Sequence, residues 1–167
     1  MIPFLSSSDI ADTVSDIAKE INNDFGANPI TLVCILKGSF IFCADLIRLL
    51  TGPVKIEFMS VSSYEGTSST GTPIIHNIPS SLNGKNVIVV EDIVDTGICL
   101  NYVLELLMLQ GPASLKVAAL VSKPSRRVKH VTIDYCGFEI EDKFIVGYGL
   151  DYNQLYRNLP YIGVLEN

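Results

Sequence analysis

Apolar residues recur along this chain with two different periods, and their alternation sets out an architecture. Ile10, Val14, Ile17, Ala18 and Ile21 follow the three-to-four spacing of one helix face, with Ser8 as N-cap and Gly26 as stop. Ile30–Leu36 is a continuous apolar run too short for a buried helix, which predicts a strand covered on both faces. Lys37-Gly38-Ser39 makes a turn, and Phe40–Leu50 predicts a helix closed by Gly52-Pro53. The β-branched and aromatic content of Val54–Ser63 predicts a second strand.

Residues 64–72 are glycine and hydroxyl side chains with nothing to anchor a core, and are read as a mobile loop, with Pro73–Ile75 pairing back as a short strand. After Gly84-Lys85 the run Val87–Val90 predicts a central buried strand. Leu100, Val103, Leu104, Leu107 and Met108 form the stripe of the next helix, which stops at Gly111-Pro112. Val117–Val121 predicts a further strand, and Lys123-Pro124-Ser125-Arg126-Arg127 a basic loop. From about Ile133 to Asn167 there are two short strand-like runs and several aromatics, expected to form a small cap over the strand ends. Helices alternating with strands through tight turns imply an α/β fold with a mostly parallel, twisted sheet flanked by helices. No linker or internal repeat divides residues 1–167, which are read as a single domain.

Composition narrows the functional classes. With 48% apolar and 18% charged residues the chain has the makings of a packed core and is not disordered. A formal net charge of −6 argues against a surface that binds nucleic acid by general attraction. Cys34, Cys43, Cys99 and Cys136 form no Cys-x-x-Cys, and His76 and His130 stand apart, so a zinc site is not expected. The N-terminal residues have no basic region and long apolar core, and no apolar run spans a bilayer. These features lead to the expectation of a cytoplasmic protein in a reducing compartment, with no membrane partner.

The chemistry is concentrated between residues 87 and 100. Val87–Val90 ends in Glu91 and Asp92; Asp95-Thr96-Gly97 follows, and then the apolar helix. Ligands of parallel sheets bind beyond the carboxyl ends of the strands, and a helix N-terminus offers free N–H groups to an anion. Thr96 supplies a hydroxyl donor and Gly97 lets the backbone come close, which suits a phosphate. The carboxylates suit hydroxyls or a metal ion, so the stretch points to a phosphorylated sugar. Neither the P-loop nor the Gly-x-Gly-x-x-Gly fingerprint is present. Read alone, Glu91-Asp92 is equally the solvated end of a strand, and Asp95 a carboxylate favoured by the helix dipole.

Glu-Asp-Ile-Val-Asp-Thr-Gly at 91–97 resembles the phosphoribosyl-pyrophosphate (PRPP) motif of the type I phosphoribosyltransferases. Leu36-Lys37-Gly38, Ser63-Tyr64 with Ser69-Thr70-Gly71, Lys123-Pro124, Val146–Asn153 and Arg157–Val164 follow in the same order. Over nearly its full length the chain resembles bacterial-type hypoxanthine or hypoxanthine–guanine phosphoribosyltransferases. The resemblance implies the Rossmann-like fold of that family with a C-terminal hood at roughly 133–167, to which the N-terminal segment is a candidate addition. The implied reaction moves the 5-phosphoribosyl group from PRPP to N9 of a 6-oxopurine, with Mg2+, giving IMP or GMP and pyrophosphate. Two alternatives stand beside it: a PRPP-sensing regulator on the same fold, and a transferase for another base such as xanthine.

The resemblance also implies residue roles. Asp95 corresponds to the proposed general base, or an electrostatic support, at purine N7. Glu91 and Asp92 correspond to residues that hold the ribose hydroxyls directly or through Mg2+, and Asp151 to a further metal ligand on the purine side. Asp95, Thr96, Gly97, Ile98 and Cys99 correspond to the 5′-phosphate loop. Cys99 stands where many relatives carry Thr or Ser; a thiol is the weaker donor, and beside a helix N-terminus it is also a candidate reactive thiol. Lys37, Gly38 and Arg157 correspond to pyrophosphate contacts, with a cis peptide expected between Leu36 and Lys37. Lys123 corresponds to the reader of the 6-oxo group, Phe144 to the stacking ring and Ile145 to a backbone contact with the base. Ser63 and Tyr64 correspond to the root of a lid over the reacting centre. Relatives are dimers or tetramers, so a homodimer or homotetramer is expected.

Overall fold

The computed structural model describes residues 1–62 and 73–165. In chain order the elements are β1 (Ile2–Leu5), α1 (Ser7–Phe25), β2 (Ile30–Leu36), α2 (Phe40–Ile47), β3 (Val54–Ser62) and β4 (Ile74–His76). They continue with β5 (Asn86–Val94), α3 (Ile98–Met108), β6 (Ser114–Ser122), β7 (Tyr135–Glu139), β8 (Ile145–Val146) and β9 (Ile162–Val164). A short 3-10 turn at Pro124–Arg126 follows β6.

The large sheet has six strands in the order β4-β3-β2-β5-β6-β7, parallel except for the antiparallel edge strand β4. Its strands alternate between two apolar layers. Ile30, Leu32 and Cys34 join Ile88, Val90 and Leu120 under α1 and α2, whereas Val33, Ile35, Val87, Val89 and Val117 meet Leu100, Val103 and Leu107 of α3. This is the α/β sheet expected from the apolar runs, with helices on both faces.

Several boundaries differ from the sequence expectation. Helix α1 is capped by Ser6 rather than Ser8, because Asp9 three positions on closes a reciprocal capping box with Ser6. Helix α2 ends at Ile47 rather than Leu50: the last carbonyls are taken by tight Leu46–Leu49 and Ile47–Leu50 bonds, and the Asn22 amide holds Leu49 O and Thr51 N at 3.0 Å each. The tail is also divided. Tyr135–Glu139 is the far edge of the large sheet, while β8 and β9 form a second sheet with the N-terminal strand β1, in the order β1-β9-β8.

One boundary shift positions the site. Strand β5 runs on through Glu91 and Asp92 to Val94 instead of ending at Val90. It stays paired with β6 as far as Val94↔Ser122, but its pairing with β2 stops at Cys34↔Val90. The two acids therefore lie on a strand that has lost its pairing with β2, while β2 itself runs on beside β3 to Leu36 before Lys37-Gly38.

Candidate active site

The acids Glu91 and Asp92 are adjacent on β5, just beyond its last pair with β2. Both retain some exposed surface. Even so, desolvation is the largest influence on each and raises both carboxyls above their ordinary range; for Glu91 the neighbouring Asp92 charge adds to it. Asp92 Oδ1 also accepts the Ile93 N–H at 2.9 Å, and the Arg157 guanidinium opposes the upward shift. A hydrogen bond with Glu91 lowers Asp92 while raising Glu91, so the desolvated pair shares its charge unequally, and a cation or hydroxyl donors would relieve it.

The Leu36–Lys37 peptide is cis, as expected. Gly38 follows, packed against the Asp92 carboxylate on one side and with its carbonyl oxygen beneath Gly149 on the other. Lys37 and Arg157 are brought together by a residue that sequence reasoning missed. Gln154 Oε1 accepts from Lys37 Nζ at 3.3 Å and from Arg157 Nη2 at 3.1 Å. Arg157 further donates to Gly149 O at 2.7 Å and pairs with Asp151 at 2.8 Å. Nothing local marks Gln154: it sits in a bridged turn whose Asn153, Gln154 and Tyr156 all have positive φ, and its contacts span 117 positions.

Asp95 follows β5, and Gly97, at φ 81°, lets the chain enter α3 without a side-chain cap. No Cβ fits at Gly97, because Lys129 O lies against it. The Thr96 carbonyl is held by the N–H groups of Val128 and Lys129 at 2.9 and 3.0 Å, and the Asp95 carbonyl by Arg127 at 2.7 Å. The Ile98 N–H donates to Thr96 Oγ1 at 3.4 Å, a long bond that an anion could replace, and the Cys99 N–H of the same first turn is the loop's other offering. Cys99 is exposed, yet burial around the sulfur and then the Glu91 charge push its thiol upward, the opposite of a reactive, helix-activated cysteine.

On the far side of Asp95, Lys123 is 7% exposed and its ammonium lies 3.4 Å from Asp142 Oδ1. Arg126 Nε donates to Asp95 Oδ1 at 3.1 Å and stands 3.8 Å from Asp142 Oδ2. Phe144 is 52% exposed and makes a T-shaped pair with Tyr152, ring centroids 5.6 Å apart. Ile145 is buried in β8, paired with Val164. Ser63 and Tyr64, and the loop 64–72 that they were expected to root, lie outside the described residues. A separate cavity of about 640 Å³, lined by Ile10, Asp45, Arg48 and Tyr148 among others, receives none of Glu91, Asp92 and Asp95.

A family model described as the phosphoribosyl transferase domain matches residues 4–153. The chain belongs to this family. Its relatives include the hypoxanthine-guanine phosphoribosyltransferase of Staphylococcus aureus strain Mu50, 43% identical over 97% of this chain and 92% of that one. The enzyme of the same name from Staphylococcus epidermidis strain RP62A is 44% identical over the same shares. A crystal structure of the Bacillus anthracis hypoxanthine-guanine phosphoribosyltransferase superposes with a TM-score of 0.94 at 41% identity, covering 99% of each chain. Like these relatives, the chain is a phosphoribosyltransferase with a mostly parallel sheet flanked by helices.

The carboxylates expected at a metal stand in two places, Glu91 with Asp92 on β5 and Asp151 in the turn before Arg157. Asp151, expected as a further metal ligand on the purine side, is held by Arg157 and by the Gln154 N–H, each at 2.8 Å. Among the described residues no three acid, cysteine or histidine side chains gather as a ligand set. Mg2+ needs no such cage: it keeps several waters and takes one or two carboxylates together with substrate phosphates. The adjacent Glu91–Asp92 pair, and Asp151 separately, fit that demand.

Proposed function

We propose that the protein transfers the 5-phosphoribosyl group of PRPP to N9 of a 6-oxopurine, hypoxanthine and also guanine, releasing pyrophosphate and forming IMP or GMP. The observation that carries this reading is the row Lys123, Asp142, Arg126, Asp95. It puts a buried ammonium suited to a 6-oxo oxygen and a carboxylate suited to a purine N7–H in a single site. The exposure of Phe144 supports a stacked base beside it.

In this reading the amides at Thr96–Cys99 bind the 5′-phosphate, and Glu91 and Asp92 hold the ribose hydroxyls. Lys37, the Gly38 backbone and Arg157 receive the pyrophosphate. As the bond from C1 to the pyrophosphate oxygen breaks, positive charge develops on the ribose and the nearby carboxylates stabilise it. N9 bonds to C1, the N7 proton passes to the Asp95 carboxylate, and the electron pair of the broken bond leaves on pyrophosphate. Lys123 favours an oxo acceptor over the amino group of adenine, and the Ile145 backbone borders the base. Mg2+, held by Glu91 and Asp92 or by Asp151, would offset the charge of the departing pyrophosphate. Ser63 and Tyr64 would root a lid that excludes water, since hydrolysis of PRPP competes with transfer.

We read residues 1–167 as one domain with the β1-β9-β8 sheet as its hood, and the protein as a homodimer or homotetramer. Exposed Phe40, the first residue of α2, and Leu49, just past its end, support a self-association surface. A cytoplasmic setting belongs to the same proposal and is supported by four free thiols. No helix among the described residues is long and apolar enough to cross a membrane.

The test is to incubate the protein with PRPP, Mg2+ and single purines and to identify each monophosphate. IMP and GMP formation with no AMP is the expected result. PRPP binding without any product would favour the regulator, and XMP as the main product would move the assignment to xanthine.

A further inference from the structure

Arg126 and Arg127 are neighbours with different attachments. Arg127 is committed to fixed groups, donating to Asp95 O and to Ser122 Oγ at 2.7 Å each. Arg126 is not: its Nε faces two carboxylates, Asp95 at 3.1 Å and Asp142 at 3.8 Å, and currently serves the first. Asp142 meanwhile serves Lys123 at 3.4 Å. Cation and anion thus alternate from the base side of the site to the phosphate loop.

The two ends of this row differ in burial. The Lys123 side chain is 9% exposed, and a buried ammonium must keep an acceptor. Arg126, Asp142 and Asp95 are 47%, 54% and 43% exposed, and ion pairs so open to water are weak enough to change partners. A new acceptor at Lys123 competes with Asp142 for the ammonium and lessens its need of that carboxylate, and Asp142 is already within reach of Arg126.

We propose that Asp142 and Arg126 form a substrate-gated relay between base recognition and proton acceptance. A 6-oxo oxygen engages Lys123, Asp142 turns to Arg126, and Asp95 is released to take the N7 proton. Asp142 and Arg126 are positioning residues, acting through Lys123 and Asp95. A 6-amino group offers Lys123 no comparable acceptor, so Arg126 stays on Asp95 and the wrong base is refused at the chemical step as well as in binding. The inference rests on the roles proposed above for Lys123 and Asp95.

The experiment is steady-state kinetics with PRPP and hypoxanthine on the wild type, D142N, R126Q and the double variant. All three variants alter exposed side chains, and thermal melting checks that each is folded. D142N removes the negative charge that competes for Lys123 and offers Arg126 an alternative ion pair, leaving only a neutral amide oxygen. The KM for hypoxanthine should fall severalfold while kcat falls about tenfold. The double variant should recover most of that kcat, because the guanidinium held on Asp95 is gone. A purely structural role gives losses that add, and does not separate KM from kcat in opposite directions. An unchanged kcat in D142N, or a double variant no faster than D142N, overturns the relay while leaving the transfer reaction in place. A wild type that makes no IMP overturns both.

Discussion

The α-carbon of Gly38 lies against the carboxylate of Asp92, so that a methyl group added there would overlap Asp92 Oδ2. The residue expected at the pyrophosphate and the acid expected at the ribose thus constrain each other. Gly149 continues the stack: at φ 98° it presses on Gly38 O, where again no Cβ fits. Gly38→Ala should displace the Asp92 carboxylate and lower kcat/KM by about 100-fold, since small misplacements at a reacting centre have effects of that order. Gly149→Ala should in addition destabilise the fold by about 1–3 kcal/mol, through the strained φ and the backbone overlap. Kinetics and thermal unfolding of the two variants separate these effects; wild-type kinetics in Gly38→Ala would remove the coupling.

The half-buried Glu91–Asp92 pair costs stability in the protein without ligands, because each carboxyl is raised first by desolvation. Asp92→Asn should therefore melt a few degrees higher than wild type at neutral pH while losing most of its activity, the exchange common at functional sites. Millimolar Mg2+ with PRPP should raise the melting temperature of the wild type more than that of Asp92→Asn. Equal shifts in the two proteins would argue against this pair as a cation site.

Asp24 anchors the end of α1 to the large sheet. Tyr135 donates to Asp24 Oδ2 at 2.5 Å and Lys116 donates at 3.0 Å, and these bonds, Tyr135 first, hold the carboxyl below its ordinary value of 3.8. A depressed acid contributes its stability above its unfolded value and loses it as pH falls through the lower folded value. Asp24→Asn should melt roughly 2–4 °C below wild type at pH 7, the size expected for a largely exposed network. The gap should close below about pH 4. A gap that does not change with pH would assign the loss to packing alone.

Cys99 should react slowly with iodoacetamide at pH 7, because its thiol is pushed upward. Cys99→Thr should lower the KM for PRPP modestly, about two- to fivefold, by adding a stronger donor at the loop. A marked rise in KM would show that the thiol itself matters to the phosphate.

The apolar runs at Ile30–Leu36 and Val87–Val90 were legible as parallel strands because a sheet covered on both faces leaves no room for polar alternation. The acidic stretch 91–97 was legible as a site because carboxylates at a strand end followed by Thr-Gly serve no apolar layer. Chain order alone also determined the succession of helices and strands, since each depends on neighbours a few positions away.

Other features depended on distant segments. That β5 continues through Glu91 and Asp92 was decided by β6, which still pairs there after the pairing with β2 has stopped. That β1 joins β9, more than 150 positions along, was decided by the edge the second sheet had to cover. Gln154 between Lys37 and Arg157, and Arg126 between Asp95 and Asp142, have no local signature, because a single polar residue in a turn looks the same whether it faces solvent or two charged partners. Local spacing determined which residues form each element; long-range packing decided which charges meet.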